Sequence, residues 1–224
     1  MADNILVKPA TGSNVSIASD DVGGVLYQRV KPAFGVDGSA TDVSTSNPLP
    51  VAPAAGESHL GSVSGHSIIV GDTFTRPADT TAYAVGDLVA NNVTAGSVTP
   101  LTLQVARAND TYVTIPRLRL KKSGTSLTNA QFRVHLYKAL PTLTNGDNGA
   151  WLTTESTYIG SVDITMDKAF SDGAKGFGVP SVGSAFIADP STGTRNIYAL
   201  IEARAAYTPA SAESFTLTAE VLRD

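Results

Sequence analysis

The sequence predicts an all-β protein: an antiparallel β-sandwich of jelly-roll type carrying an extended N-terminal arm. Three observations lead there. Apolar residues recur at every second position in run after run, which is the period of a half-buried strand. These runs are separated by Gly, Pro, Asn and Asp, and a helical period is nearly absent. The alternation also fails over residues 35–57, where Gly, Ser, Asp, Asn and Pro dominate. The chain therefore divides into an arm, residues 1–57, and a body, residues 58–224.

In the arm, Ile5-Leu6-Val7 is a short apolar patch, and Val15 and Ile17 alternate with polar neighbours. Asp20-Asp21 ahead of Val22-Gly23-Gly24 reads as a turn. Residues 24–34 then alternate as a strand. Val25, Tyr27, Arg29 and Lys31 share one face, Leu26, Gln28 and Val30 the other, and Pro32 interrupts the second half. Pro48, Pro50 and Pro53 make the stretch that follows a semi-rigid spacer.

The body holds about eight strands. Residues 67–70, extended by 73–75, form the first, and 83–89 a bulged strand or strand pair. In the strands beginning near Leu101 and Val113 the residues facing inward are Leu101, Leu103 and Val105, then Leu118 and Leu120. Phe132, Val134 and Leu136 face inward, with Arg133, His135 and Tyr137 outward. Val162, Ile164 and Met166 follow. Ile197, Ala199, Ile201 and Ala203 come next, and the second face of that strand is partly apolar too, so it is central. Phe215, Leu217, Ala219 and Val221 close the series. The one helical candidate is residues 145–153 around Trp151. The connections 140–157 and 167–190 are long for hairpins, as the crossings of a jelly roll require. An immunoglobulin-like sandwich is the rival, without the Cys…Trp…Cys spacing to support it.

Composition narrows the function. Charged residues are 16% of the chain, few against the ~25% of ordinary globular domains. A net charge of −4 and the lack of a Lys/Arg block speak against nucleic acid. No apolar run reaches the ~20 residues of a membrane helix, and the first residues have neither the basic nor the apolar region of a signal peptide. The absence of cysteine removes disulfides, zinc-thiolate sites and cysteine nucleophiles, and fits a chain made in a reducing cytoplasm.

No residue pattern announces catalysis, a cofactor or a metal. His59 and His66 lie on Gly/Ser-rich chain without a third ligand, and His135 reads as a surface or interface residue. The run from Asp37 to Asp42 lacks the alternating acids of a calcium loop. GxSxG does not occur, and the glutamates are scattered. Two groups remain as contact residues. Tyr27, Arg29, Lys31 and Phe34 put aromatic and basic side chains on an arm that cannot bury them locally, as interface anchors do; the plainer reading folds this strand back onto the body. Arg117, Arg119, Lys121 and Lys122 make one basic strand face, either a docking surface for an acidic partner or a solvated outer face.

The run VGGVLYQRVKPAFGVDGSATDVSTSNPLPV followed by GESHLGSVSGHS, then PADTTAYAVGDLVANNV and the terminal FTLTAEVLRD, resembles virion structural proteins of tailed bacteriophages. The resemblance spans most of the chain. It implies a non-enzymatic β-sandwich or jelly-roll subunit of a homo-oligomer on the particle, assembled in the bacterial cytoplasm. It would be a capsid decoration (cement) protein or head fibre held to the major capsid protein or another virion protein, and a trimer would grip by avidity. The rivals are a tail-fibre protein whose 140–157 loop contacts a host glycan, and a small jelly-roll hydrolase.

Overall fold

The alternating runs pair into strands throughout. The computed structural model describes residues 5–7, 11–13, 15–17, 19–28, 33–34, 41–46, 48, 66–154, 156–180 and 185–223. The chain divides into two compact units, Met1–Ser62 and Val63–Asp224.

In the first unit three short antiparallel pairs form. β1 (Ile5–Val7) pairs with β2 (Val15–Ile17), β3 (Ser19–Val22) with β4 (Val25–Gln28), and β5 (Ala33–Phe34) with β6 (Thr41–Asp42). The turn expected at Asp20-Asp21 falls instead at Gly23-Gly24, with φ of 65° and 82°. Two residues with positive φ make the tight turn whose twist matches a hairpin, and glycine takes that conformation without strain. Asp20 and Asp21 thereby become strand residues opposite Tyr27 and Leu26.

The second unit is a sandwich of two antiparallel sheets. Its strands are β7 (His66–Thr75), β8 (Leu88–Val89), β9 (Leu101–Gln104), β10 (Val113–Lys122), β11 (Gln131–Tyr137), β12 (Tyr158–Thr165), β13 (Lys168–Phe170), β14 (Gly173–Gly178), β15 (Phe186–Ala188), β16 (Asn196–Ala203) and β17 (Ser214–Arg223). One sheet runs β13-β14-β10-β17-β7, with β15 also on β10. The other runs β12-β11-β16-β8, with β9 also on β16. The pairing is nested: the first strand lies on the last, β8 and β9 on β16, β10 on β14 and β15, and β11 on β12.

Between the sheets lies the core that the alternation foretold, with Leu118, Leu120, Phe132, Val134, Ile164, Ile201, Phe215 and Leu217 all buried. Phe132 sets its ring edge-on to Phe215 and Tyr207, at centroid distances of 5.3 and 5.2 Å. Near one end β14 comes very close to β12. A Cβ at Gly178 would lie 2.2 Å from Val162 Cγ1, and one at Gly176 2.3 Å from Thr165 O, so only glycine fits.

Three expectations are corrected. The 167–190 connection contains β13, β14 and β15; β13 and β15 are three residues each, too short to show a period, and the buried positions of β14 are glycine and alanine. Residues 145–153 form no helix. They run as extended chain beside β8, bridged Asp87 to Ala150. Of the 83–89 segment only Leu88–Val89 is strand, because Gly86 turns the chain with φ of 94°.

Lys122 is a fourth correction. It does not join the basic outer face. Period 2 along β10 puts it on the side of Leu118 and Leu120, and its side chain is fully buried. There its ammonium donates to Glu213 Oε1 (3.2 Å) and Gly124 O (2.8 Å), while the Tyr207 hydroxyl contacts both Glu213 oxygens at 2.8 and 2.7 Å. Burial lowers the Lys122 pKa, and the Glu213 carboxylate opposes that drop. The same end of the sandwich holds a second buried pair. Arg76 Nη2 donates to Asp147 Oδ2 (2.9 Å) and its Nε to Tyr83 Oη (2.6 Å), and the Tyr83 hydroxyl donates to Asp147 Oδ1 (2.6 Å). Tyr83 and Tyr207 stack with centroids 6.5 Å apart and join the two clusters.

Removing one member of such a pair strands a buried charge. Glu213→Ala is expected to cost about 3–5 kcal/mol in urea unfolding, and the double change Lys122→Met, Glu213→Leu to recover most of that loss.

Candidate functional site

The arm residues are only partly placed. Tyr27 sits on β4 with 58% of its surface exposed, beside Val25 and Leu26, which are also about half exposed. Arg29 and Lys31 lie outside the described residues, as do His59, most of the 35–57 spacer and the side chains of Phe34 and His66. What stands is a short hairpin, Ser19–Gln28, displaying apolar side chains on a four-residue strand.

Arg117, Arg119 and Lys121 do share the outer face of the six-stranded sheet, because each alternates with a buried residue of β10. Two of these charges are shared with one carboxylate. Arg117 donates to Glu220 Oε2 (3.1 Å) and Oε1 (2.5 Å), and Arg119 donates to the same Oε1. Lys121 reaches Asp172 at 3.0 Å. Exposed pairs of this kind contribute little stability, about 0–1 kcal/mol. Around them the sheet is apolar. Phe177 lies opposite Arg119 in register and is 49% exposed, Ile187 is 71% exposed, and Ile69, Phe170 and Leu222 are about half exposed. Arg117 and Lys175 lie over the rings of Phe177 and Phe170, at 5.8 and 5.4 Å. A shallow concavity of 280 Å³ opens between Ile69, Arg119, Lys175 and Phe177. Arginine and aromatic side chains side by side on an exposed sheet are the composition of an interface core.

The second feature lies on the outer face of the five-stranded sheet. His135 points away from the sandwich core as its alternation requires, yet it is 3% exposed and is no surface residue. The 140–157 segment covers it. That segment is fastened to the edge of the sheet by backbone bonds Leu88 N to Gly149 O, Asn148 N to Leu88 O, Asp147 N to Asn92 O and Trp151 N to Gly86 O, each 2.7–2.9 Å. It builds a small outer cluster of Leu88, Ala90, Tyr137 and Leu200, with Leu143, Trp151 and Tyr198 packed on it. Trp151 stacks on the His135 imidazole at 3.9 Å and an interplanar angle of 14°.

A groove of 330 Å³ runs beside these rings, bounded by Arg133, His135, Tyr137, Trp151, Thr153 and Tyr158 among others. His135 Nε2 is 2.8 Å from Glu202 Oε2, and Nδ1 is 3.3 Å from the Tyr158 hydroxyl. Neutral His135 satisfies both contacts when Nε2 donates and Nδ1 accepts. Both ring nitrogens are then engaged, and no serine hydroxyl shares them. Burial is the main force lowering the His135 pKa, outweighing the Glu202 bond, and Arg133 and Arg204 add to the drop. Burial also raises the Tyr137 phenol. The only advance signals of this site were the lone tryptophan and the three outward polar residues of β11, read above as a helix fragment and a surface.

No family model matches the chain, and no curated protein matches it. Among solved structures the chain is similar to that of a family two carbohydrate esterase from Cellvibrio japonicus, at 14% identity, covering 69% of this chain and 36% of that one, with a TM-score of 0.12. The alignment thus spans about a third of the esterase chain, and a likeness of that score says nothing of fold or activity.

Trp151 gives His135 a built-in reporter, since the chain has one tryptophan. A lowered pKa keeps the folded imidazole neutral through the ordinary range near 6.5, and the stability this contributes is present above that value and lost as pH falls below it. Tryptophan emission is therefore expected to fall by protonated-imidazole quenching with a midpoint below about 6.5. The melting temperature should decline over the same window, and His135→Gln should abolish the emission step.

Proposed function

We propose that this chain is a structural protein of a tailed-phage virion, a capsid decoration or head-fibre subunit that binds the major capsid protein and acts as a homotrimer. The observation that carries this reading is the outer face of the six-stranded sheet, where Phe177, Ile187 and Leu222 stand exposed around Arg117 and Arg119. A face of that kind on a stable sandwich needs a protein partner. The nested pairing supports a jelly-roll winding: a long hairpin rolled so that its two halves alternate between sheets. In this reading the N-terminal arm, with Tyr27, Arg29, Lys31 and Phe34, supplies the anchor. Three arms on one trimer raise a weak single attachment by effective concentration.

A second reading, a tail-fibre protein touching a host-surface glycan, is favoured by the groove beside Trp151. Copy number on the particle separates the two, many for a decoration protein and few for a tail tip.

Purified phage capsids mixed with the protein test the first reading by co-sedimentation. Deleting residues 1–53 is expected to abolish binding, and Phe177→Glu with Arg119→Glu to weaken it by at least about tenfold without unfolding the body. Full binding by both variants would defeat the proposal.

A further inference from the structure

We infer that the groove on the five-stranded sheet binds a ring of an uncharged sugar. The site deepens the glycan reading above and lies on the sheet opposite the proposed capsid-binding face.

The first ground is the aromatic wall. Trp151 is held flat on His135 and is only partly covered, and Tyr158 beside it is 40% exposed. The backbone bonds of the 140–157 segment and the buried Asp147 fix the tryptophan in advance. Binding then spends little rotamer entropy on that side chain. Such a wall suits the apolar C–H face of a pyranose.

The second ground is the rim. Thr153, Thr154, Ser161 and the Tyr158 hydroxyl surround the rings. Hydroxyls donate and accept at once, as do the hydroxyls of a sugar. The Tyr158 hydroxyl already meets His135 Nδ1, and an apolar ligand would offer the remaining hydroxyls no partner.

The third ground is unmet hydrogen-bonding capacity. Trp151 Nε1 is buried without a partner among the described residues, and the Tyr137 and Thr153 hydroxyls beside it have only each other; all three residues line this groove. Buried polar atoms are nearly always paired, so an indole N–H left open in the groove calls for a ligand that brings an acceptor.

The fourth ground is charge. Arg133 is bound bidentately by Asp163, at 2.7 and 2.9 Å, and Glu202 by His135 and Arg204, each at 2.8 Å. Among the described residues the charges beside the groove are paired inside the protein, so they give an ionic ligand no advantage over a neutral one. The volume of 330 Å³ sits at the small end of ligand sites, which span about 300–1,000 Å³, and fits one or two rings.

The test uses the full chain. An array of neutral hexose and N-acetylhexosamine oligosaccharides, with uronic-acid oligosaccharides as the acidic contrast, is screened first. The best binder is then titrated against Trp151 emission. At least one neutral glycan is expected to bind and to change the emission saturably. Tyr158→Ala should weaken that binding by at least about tenfold while melting close to the parent. Arg119→Glu, on the other sheet, should leave it unchanged. Trp151→Phe, read by saturation-transfer NMR, should keep partial binding, and Trp151→Ala should lose it. Failure of every neutral glycan on the array overturns the inference, as does binding confined to the uronic acids, or a Tyr158→Ala variant that folds and binds as well as the parent. Because Phe177→Glu should spare the sugar site, failure here leaves the capsid reading standing, and the reverse holds too.

Discussion

The buried pair of Arg76 and Asp147 is the constraint on which the functional half of the body depends. Arg76 closes the edge strand β7 of one sheet, and Asp147 belongs to the segment laid over the other. An isolated charge could not remain in either place, since desolvation costs several kcal/mol per ion. Together they can, because nearly every lone pair and proton is used. Asp147 takes bonds from Arg76, Tyr83 and the Ala90 amide, and Arg76 also donates to Asp79 O. With Asp147 fixed, residues 148–151 must follow the edge of β8, and Trp151 is delivered onto His135. The shape of a surface groove is thus set by an ion pair beneath it.

The two outer faces differ in chemistry. One sheet displays a flat, apolar and weakly cationic surface with no deep relief. The other is roofed by a loop and carries a groove whose charges cancel internally. A subunit built this way can hold a protein neighbour on one side while the far side stays open. The described part of the N-terminal unit differs from both, a set of two- to four-residue strand pairs in which Val22, Val25, Leu26 and Tyr27 stand in the open.

How much of this was legible depends on what each strand buries. Strands with a large apolar face announced themselves: β11, β16 and β17 have the facing that their alternation requires, and the partly apolar second face of β16 marked it as central. The second half of the six-stranded sheet did not. β14 offers Ala174, Gly176 and Gly178 inward because β12 presses so close on the two glycines that no larger side chain fits, and a strand with so little inward side chain has no hydrophobic period to read. Lys122 and His135 misled for the opposite reason. A basic residue at the end of a strand, or a histidine on an outward position, normally means solvent. Here the partners that make burial tolerable, Glu213 and Glu202, lie 91 and 67 residues away along the chain. The basic face of Arg117, Arg119 and Lys121 was visible from spacing alone. That Glu220 would bind two of its three cations was not.

The nested pairing also has a bearing on how the chain is made. β17 occupies the middle of the six-stranded sheet, with β7 on one side and β10 on the other, and it pairs His66 with Arg223. Until β17 leaves the ribosome, β7 and β10 have no strand between them, and Phe132 lacks the ring of Phe215 against which it packs. Closure of the sandwich waits for β17 and is dominated by contacts between distant parts of the chain, the slow class of folding. During that wait the edges of β7 and β10 are open to another strand. A strand from a second copy of the chain that reaches one of those edges before β17 would take its place in the sheet.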